Sequence, residues 1–237
     1  CTQRLLDQAS ATWHMQMHEV MLAALAMTLT AHTGRPDINI SIESHGREAL
    51  AAGIDATRTV GWFTALYPVA LHIDFPASLN DAMQAARQRL REVPRHGIGY
   101  GLLRYKGRNG AEEQAPPWGG VLMNYMGRTG RLLKKDSWFR FARPLRVSRA
   151  ADSRICFTWE INAWLGEDGL HVDWDYSEAM HSEDEVRQLS GSLLTSLRSI
   201  AEYCAANTTD TGSSDDFPLA DLDQEQLGKL AALLNRD

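Results

Sequence analysis

The sequence predicts a mixed α/β fold. Short runs of period-two alternation are interleaved with longer stretches of helical periodicity, and one pair of alternating runs is joined by the turn Gly166-Glu167-Asp168-Gly169. Parallel strands connected only by helices would not contain such a hairpin.

The elements follow in order. Residues 11–33 carry Met15, Met17, Val20, Met21, Leu22, Leu25, Met27 and Leu29, apolar nearly all round, as a buried helix requires. Gly34-Arg35-Pro36 stops it, since Gly accepts a left-handed cap and Pro cannot continue the turn. Ile38, Ile40 and Ile42 then alternate with Asn39, Ser41 and Glu43, which predicts a strand with the isoleucines on the core face. A second strand is expected over residues 66–73. Leu79, Met83, Ala86, Leu90 and Val93 predict a helix over residues 78–93, ending before Pro94. Residues 95–120 are rich in Gly, Pro and charge and read as turns with short helix, and residues 119–125 as a short strand entering a Gly turn. Ile155, Phe157, Trp159 and Ile161 alternate, as do Leu170, Val172, Trp174 and Tyr176, giving the antiparallel hairpin. Val186, Leu189, Leu193, Leu197, Ile200 and Cys204 form one stripe of a helix over residues 182–206. Residues 207–222 are expected to be a polar linker ending in the apolar anchor Phe217-Pro218-Leu219, and residues 223–237 a terminal linker or docking helix bearing Leu227, Leu230 and Leu234.

Composition narrows the function classes. The 237 residues are 44% hydrophobic and 23% charged, with 24 basic against 30 acidic side chains and a net charge of −6. That balance suits an ordinary globular core and argues against a general nucleic-acid binder, which needs a basic surface. No apolar run approaches the ~18 residues of a membrane span. Cys1, Cys156 and Cys204 are too few and too scattered for a disulfide framework, so reduced thiols in a cytoplasmic protein are expected. No secretory signal and no initiator Met open the chain, which is expected to begin inside a longer polypeptide. His14 and His18 stand at i, i+4 on the expected first helix, but no third ligand is near in sequence and no metal site is expected. Gly97, Gly99 and Gly101 lack the helix and acidic residue of a nucleotide loop and read as turn residues. Arg128, Arg131, Lys134 and Lys135 read as a solvated basic loop.

Four segments carry specific information. They are Ser41-Ile42-Glu43-Ser44-His45-Gly46-Arg47-Glu48, residues 58–68 with Gly61-Trp62-Phe63-Thr64, Pro94-Arg95-His96-Gly97-Ile98-Gly99-Tyr100-Gly101, and Met123-Asn124-Tyr125-Met126-Gly127. In this order the chain resembles the epimerization domain of nonribosomal peptide synthetases, a member of the condensation-domain superfamily with its chloramphenicol-acetyltransferase-like fold. Residues 61–68 look like the epimerization type rather than the peptide-bond-forming type. Ser44, Met123 and Met126 depart from the residues usual there, without removing a reactive group. No two histidines are adjacent, so the resemblance covers the C-terminal lobe over residues 1–206 and not the N-terminal lobe with its His-His motif.

The resemblance implies an isomerase that interconverts L and D at Cα of an aminoacyl or peptidyl thioester on a carrier domain. It implies no bound cofactor, because the phosphopantetheine arm arrives with the peptidyl carrier partner. The missing lobe and a downstream synthetase module are the other implied partners, with neither nucleic acid nor membrane among them, and this fragment alone is expected to be inactive. Glu43 matches the acid/base position; at the strand end on the non-core face, partial desolvation would raise a carboxyl's pKa toward the working range. Tyr125 and Asn124 match the remaining catalytic pair, a phenol to donate to an enolate oxygen and an amide to orient the thioester carbonyl. Tyr125 is the one expected in the cleft. His45 is expected to brace Glu43, Arg47 to fix the loop through a carboxylate, and Trp62, Phe63 and Thr64 to shape the tunnel wall. The direction of proton transfer between Glu43 and the absent His stays open, and a condensation-domain lobe or a non-catalytic carrier-docking domain are the alternative readings.

Overall fold

The computed structural model describes residues 2, 5, 9, 13–48, 55–74, 76, 78–106, 118–128 and 156–207. Helix α1 (Met17–Thr33) is followed by β1 (Asp37–Ser44), β2 (Ala65–His72), α2 (Leu79–Glu92), a 3₁₀ turn (Pro94–Gly97), α3 (Tyr100–Lys106), β3 (Val121–Arg128), β4 (Trp159–Leu165), β5 (Leu170–Tyr176) and α4 (Glu183–Ala206). Five strands form one sheet in the order β2-β1-β3-β4-β5. The outer pairs β1/β2 and β4/β5 are antiparallel, whereas β1/β3 and β3/β4 are parallel. The fold is therefore mixed α/β, as expected.

The core lies on one face of this sheet. Ile38, Ile40, Ile42, Val69, Leu71, Met123 and Ile161 point into it. Helix α1 packs against α2, α4 and β1, and Val20 through Ala26 have no exposure at all. This accounts for its all-round apolar sequence. The helix starts at Met17 rather than in the expected register from residue 11. Gln16 caps it, accepting from the N3 amide, while its own amide donates to Glu19 Oε2 at 2.7 Å. His14 sits outside the helix with φ +49. The i, i+4 face that would have paired it with His18 does not form.

The remaining elements match their sequence patterns, except that β4 starts at Trp159, after a bend over residues 156–158 where the alternation predicts strand. Ser78 and Ser182 cap α2 and α4 by accepting from the Asp81 and Glu185 amides. Strand β3 runs past the expected Gly turn to Arg128, with an irregularity in its pairing to β4 between Tyr125 and Arg128 that absorbs Gly127. The hairpin turn closes with Gly166 N donating to Gly169 O at 2.8 Å. Cys204 is buried in the core, which pushes its thiol up to about 11, and Cys156 is exposed. Residues 208–237, with the linker and terminal helix expected there, lie outside the described residues, as do Arg131, Lys134 and Lys135. Among the described residues no helix is long and apolar enough to cross a membrane.

Glu19 is an acid buried beside this core, 4% exposed. Burial raises its pKa, against the lowering effects of the Gln16 amide, Arg91 and Arg87. An acid with a raised folded-state pKa favours folding while protonated, and this contribution is lost as pH rises from the ordinary carboxyl value through the raised one. Glu19→Gln keeps an oxygen for the capping contact and removes the charge. Its melting temperature should match wild type near pH 4 and exceed it at pH 8; equal stability at both values would remove the charge cost.

Candidate active site

The parallel arrangement of β1, β3 and β4 brings their C-terminal ends to one edge of the sheet, and every segment singled out above except the glycine run's distal part converges there. Register sets the row. Glu43 is the Cα partner of Asn124, and Asn124 of Asn162. In-register residues of neighbouring strands project to the same face, about 4.8 Å apart. Since Ile42 and Met123 are buried in the core, Glu43 and Asn124 share the opposite face, each partly exposed.

The row continues as a hydrogen-bonded ladder. Asn124 Nδ2 donates to Asn162 Oδ1 at 3.1 Å, and Asn162 Nδ2 donates to Asp175 Oδ2 at 3.3 Å. Asn162 and Asp175 were not singled out from the sequence, where each is one polar residue in an alternating strand.

Tyr125 lies on the helix side of β3. Its ring packs against the core cluster, and with Met15, His18, Val20 and Arg128 it lines a cavity of about 220 Å³ on the helix side. Burial raises the pKa of its phenol, with Arg128 pulling the other way. Strand parity puts Asn124 and Tyr125 on opposite faces, and the register to β1 gives Glu43's face to Asn124.

The loop after β1 is held from within. Gly46 has φ +61, and a Cβ there would stand 1.6 Å from the Phe63 carbonyl oxygen. Arg47 donates to the carbonyls of Ala56, of Thr59 at 2.8 Å and of Gly61 at 3.4 Å, and its guanidinium lies 4.3 Å from the centroid of the Phe63 ring. It holds the loop through main-chain carbonyls and not through the expected carboxylate. His45 Nδ1 accepts from the Arg47 amide at 3.0 Å and its Nε2 lies 3.4 Å from Glu48 Oε1, so these contacts brace the loop. Trp62 is 88% exposed, Thr64 is exposed, and Phe63 is half-buried beneath Arg47. Arg47→Lys loses the planar fork that reaches three carbonyls. It should cost about 1–2 kcal/mol and open residues 55–62 to limited proteolysis; an unchanged cleavage pattern would contradict the clamp.

The 94–97 turn closes the same corner. Arg95 and His96 hold φ +47 and +50, strained for non-glycine residues, and the Ser44 hydroxyl donates to the His96 carbonyl at 3.4 Å. Glu48 lies between His45 and His96, the latter 4.0 Å away. Gly97, at φ +77, sits flat on Tyr67, where a Cβ would be 1.9 Å from the ring. Burial, reinforced by Glu48, pushes the Tyr67 phenol up to about 12. Gly99 and Gly101 face open space, so only the first glycine of the run carries a steric demand. Among the described residues no group of acidic, His and Cys side chains is arranged to hold a metal.

A mixed sheet with helices on one face and a polar row along the opposite face defines the class, and similarity to known proteins gives the family. The sequence matches the condensation domain family over residues 1–222, and the chain belongs to that family. It is 35% identical over 236 residues to a linear gramicidin synthase of Brevibacillus parabrevis, covering 96% of this chain and 3% of that protein. It is 27% identical to gramicidin S synthase 1 of Brevibacillus brevis, covering 98% of the chain and 22% of the relative. Among solved structures, the epimerization domain from the third module of tyrocidine synthetase B superposes with a TM-score of 0.77 at 28% identity, over 87% of this chain and 46% of that one. A chain-releasing condensation domain of the enacyloxin polyketide synthase shares the fold, with a TM-score of 0.60 at 12% identity, over 84% of this chain and 39% of that one. The chain thus spans under half of these structures and a small part of the curated relatives.

Proposed function

We propose that this chain is one lobe of an epimerization domain, acting on an aminoacyl or peptidyl thioester that a carrier domain presents on its phosphopantetheine arm. The observation that carries the reading is the pairing of Glu43 with Asn124 on the open face, at the ends of two parallel strands. A thioester acidifies the proton on Cα by letting the carbanion delocalise as an enolate. What the reaction still needs is a base or acid on each face of Cα and polar groups fixed beside them. Glu43 supplies one proton-transfer group, and the other lobe supplies its counterpart across the cleft. Asn124 is the fixed polar group beside Glu43. Tyr125, on the helix side, supports β3 from behind. The sequence of residues 61–68 and the 28% identity to the tyrocidine epimerization domain favour this reaction over peptide-bond formation.

The test is stereochemical. A carrier loaded with an L-residue is incubated with the polypeptide that joins this chain to its N-terminal lobe, and the released residue is resolved on a chiral phase. A mixture of L and D is expected. An all-L residue, with peptide formed on a second carrier, would assign the chain to condensation instead.

A further inference from the structure

The ladder on the open face has a direction, and the direction has a chemical consequence. A carboxylate accepts hydrogen bonds and donates none. Asp175 therefore requires that Asn162 turn its Nδ2 toward it, as the 3.3 Å contact has it. The Asn162 oxygen is then the end that faces β3. Asn124 must meet an oxygen with its own Nδ2, which it does at 3.1 Å. A flipped amide at either position would set like against like. The outcome is that the Asn124 oxygen is the end turned away from β4, on the side of β1, whose in-register residue is Glu43.

We infer that Asn162 and Asp175 are positioning residues, which fix the Asn124 amide so that it offers Glu43 an acceptor rather than a donor. This inference rests on the epimerization reading. An acceptor oxygen hydrogen-bonds a neutral carboxylic acid and repels a carboxylate. Asn124 so oriented stabilises Glu43 once it holds the substrate's proton, and does nothing for the docking of the loaded carrier. The amide is thereby removed from the task of donating to the thioester carbonyl through the N–H that Asn162 takes. The ladder lies where such control is effective: the Asn124–Asn162 bond is half-buried, and only its Asp175 end is open to water.

The experiment uses the polypeptide carrying both lobes and follows exchange at Cα of a carrier-bound residue. Asn162→Leu removes both bonds of the ladder. It should lower kcat for exchange about tenfold, the loss expected for one hydrogen bond, with KM for the loaded carrier unchanged. The double variant Asn162→Asp/Asp175→Asn keeps the charge and still presents an oxygen to Asn124, so it should regain most of the lost rate. Equal melting temperatures in the two variants separate the lost orientation from lost packing. Wild-type kcat in folded Asn162→Leu, or a double variant as slow as Asn162→Leu, would overturn the inference. If Asn162→Leu does not fold, Asp175→Ala at its exposed position takes its place: with no acceptor to hold Asn162, kcat should fall, and an unchanged kcat would overturn the inference. Failure of the epimerization reading shows separately, as no exchange at Cα by the wild-type polypeptide.

Discussion

Glu43→Gln is expected to slow exchange of the substrate's α-proton by about a hundredfold to ten-thousandfold, the range that a positioned acid/base contributes. The substitution preserves the shape of the side chain and removes its capacity to take or return a proton. Glu43 is on the face away from the helices, while Ile38, Ile40 and Ile42, which anchor β1 in the core, are untouched. Melting temperature and loading of the carrier should therefore equal wild type. A loss of rate accompanied by a lower melting temperature would point to a structural role, and an unchanged rate would remove Glu43 from the chemistry.

Gly46→Ala is expected to have the largest effect on the fold near the site. Two independent demands meet at Gly46: a left-handed backbone at φ +61, and a Cβ position occupied by the Phe63 carbonyl oxygen at 1.6 Å and its carbon at 2.7 Å. Both obstructing atoms are main chain, so no rotamer change relieves them. Relief must come from displacing Phe63, which stands just ahead of Ala65, the β2 residue paired with Ser44, and carries the ring beneath Arg47. The expected cost is about 2–4 kcal/mol, from the φ penalty and the forced backbone shift together. Exchange at Cα should fall with it, because the loop beside Glu43 is displaced. Gly101→Ala is the control. It faces open space in α3, and should be neutral or stabilise by about 0.5–1 kcal/mol through helix propensity. Equal melting temperatures for the two variants would contradict the close approach at Gly46.

What was legible in the sequence was whatever depends on neighbours along the chain. The isoleucine alternation of β1 predicted which face Glu43 takes. The apolar stripes of α2 and α4 and the Pro94 stop predicted their ends to within a residue. As neighbours on one strand, Asn124 and Tyr125 must face opposite ways. Which of them joins Glu43 depends on the pairing of β3 with β1, a contact between residues some 80 positions apart that local pattern does not encode. The same holds for Asn162 and Asp175, whose meaning comes from lying beside Asn124 across two further strands. Arg47 illustrates an intermediate case: its role in fixing the loop was readable from the turn around Gly46, but its carbonyl partners at 56, 59 and 61 follow from how the loop folds back. At α1 the apolar run overstated the helix, because Gln16 and Glu19 build a cap from a residue seldom used there while His14 takes a left-handed turn.

The central claim is that proton transfer at Cα occurs on the face bearing Glu43 and Asn124. The most direct measurement is solvent deuterium appearing at Cα of a carrier-bound L-residue, followed by mass spectrometry in D₂O with wild type and Glu43→Gln side by side. The account predicts deuterium incorporation together with D-product in the wild type, and neither in the variant. Deuterium entering at the same rate in both proteins, or peptide forming in the wild type with the Cα hydrogen retained, would contradict it.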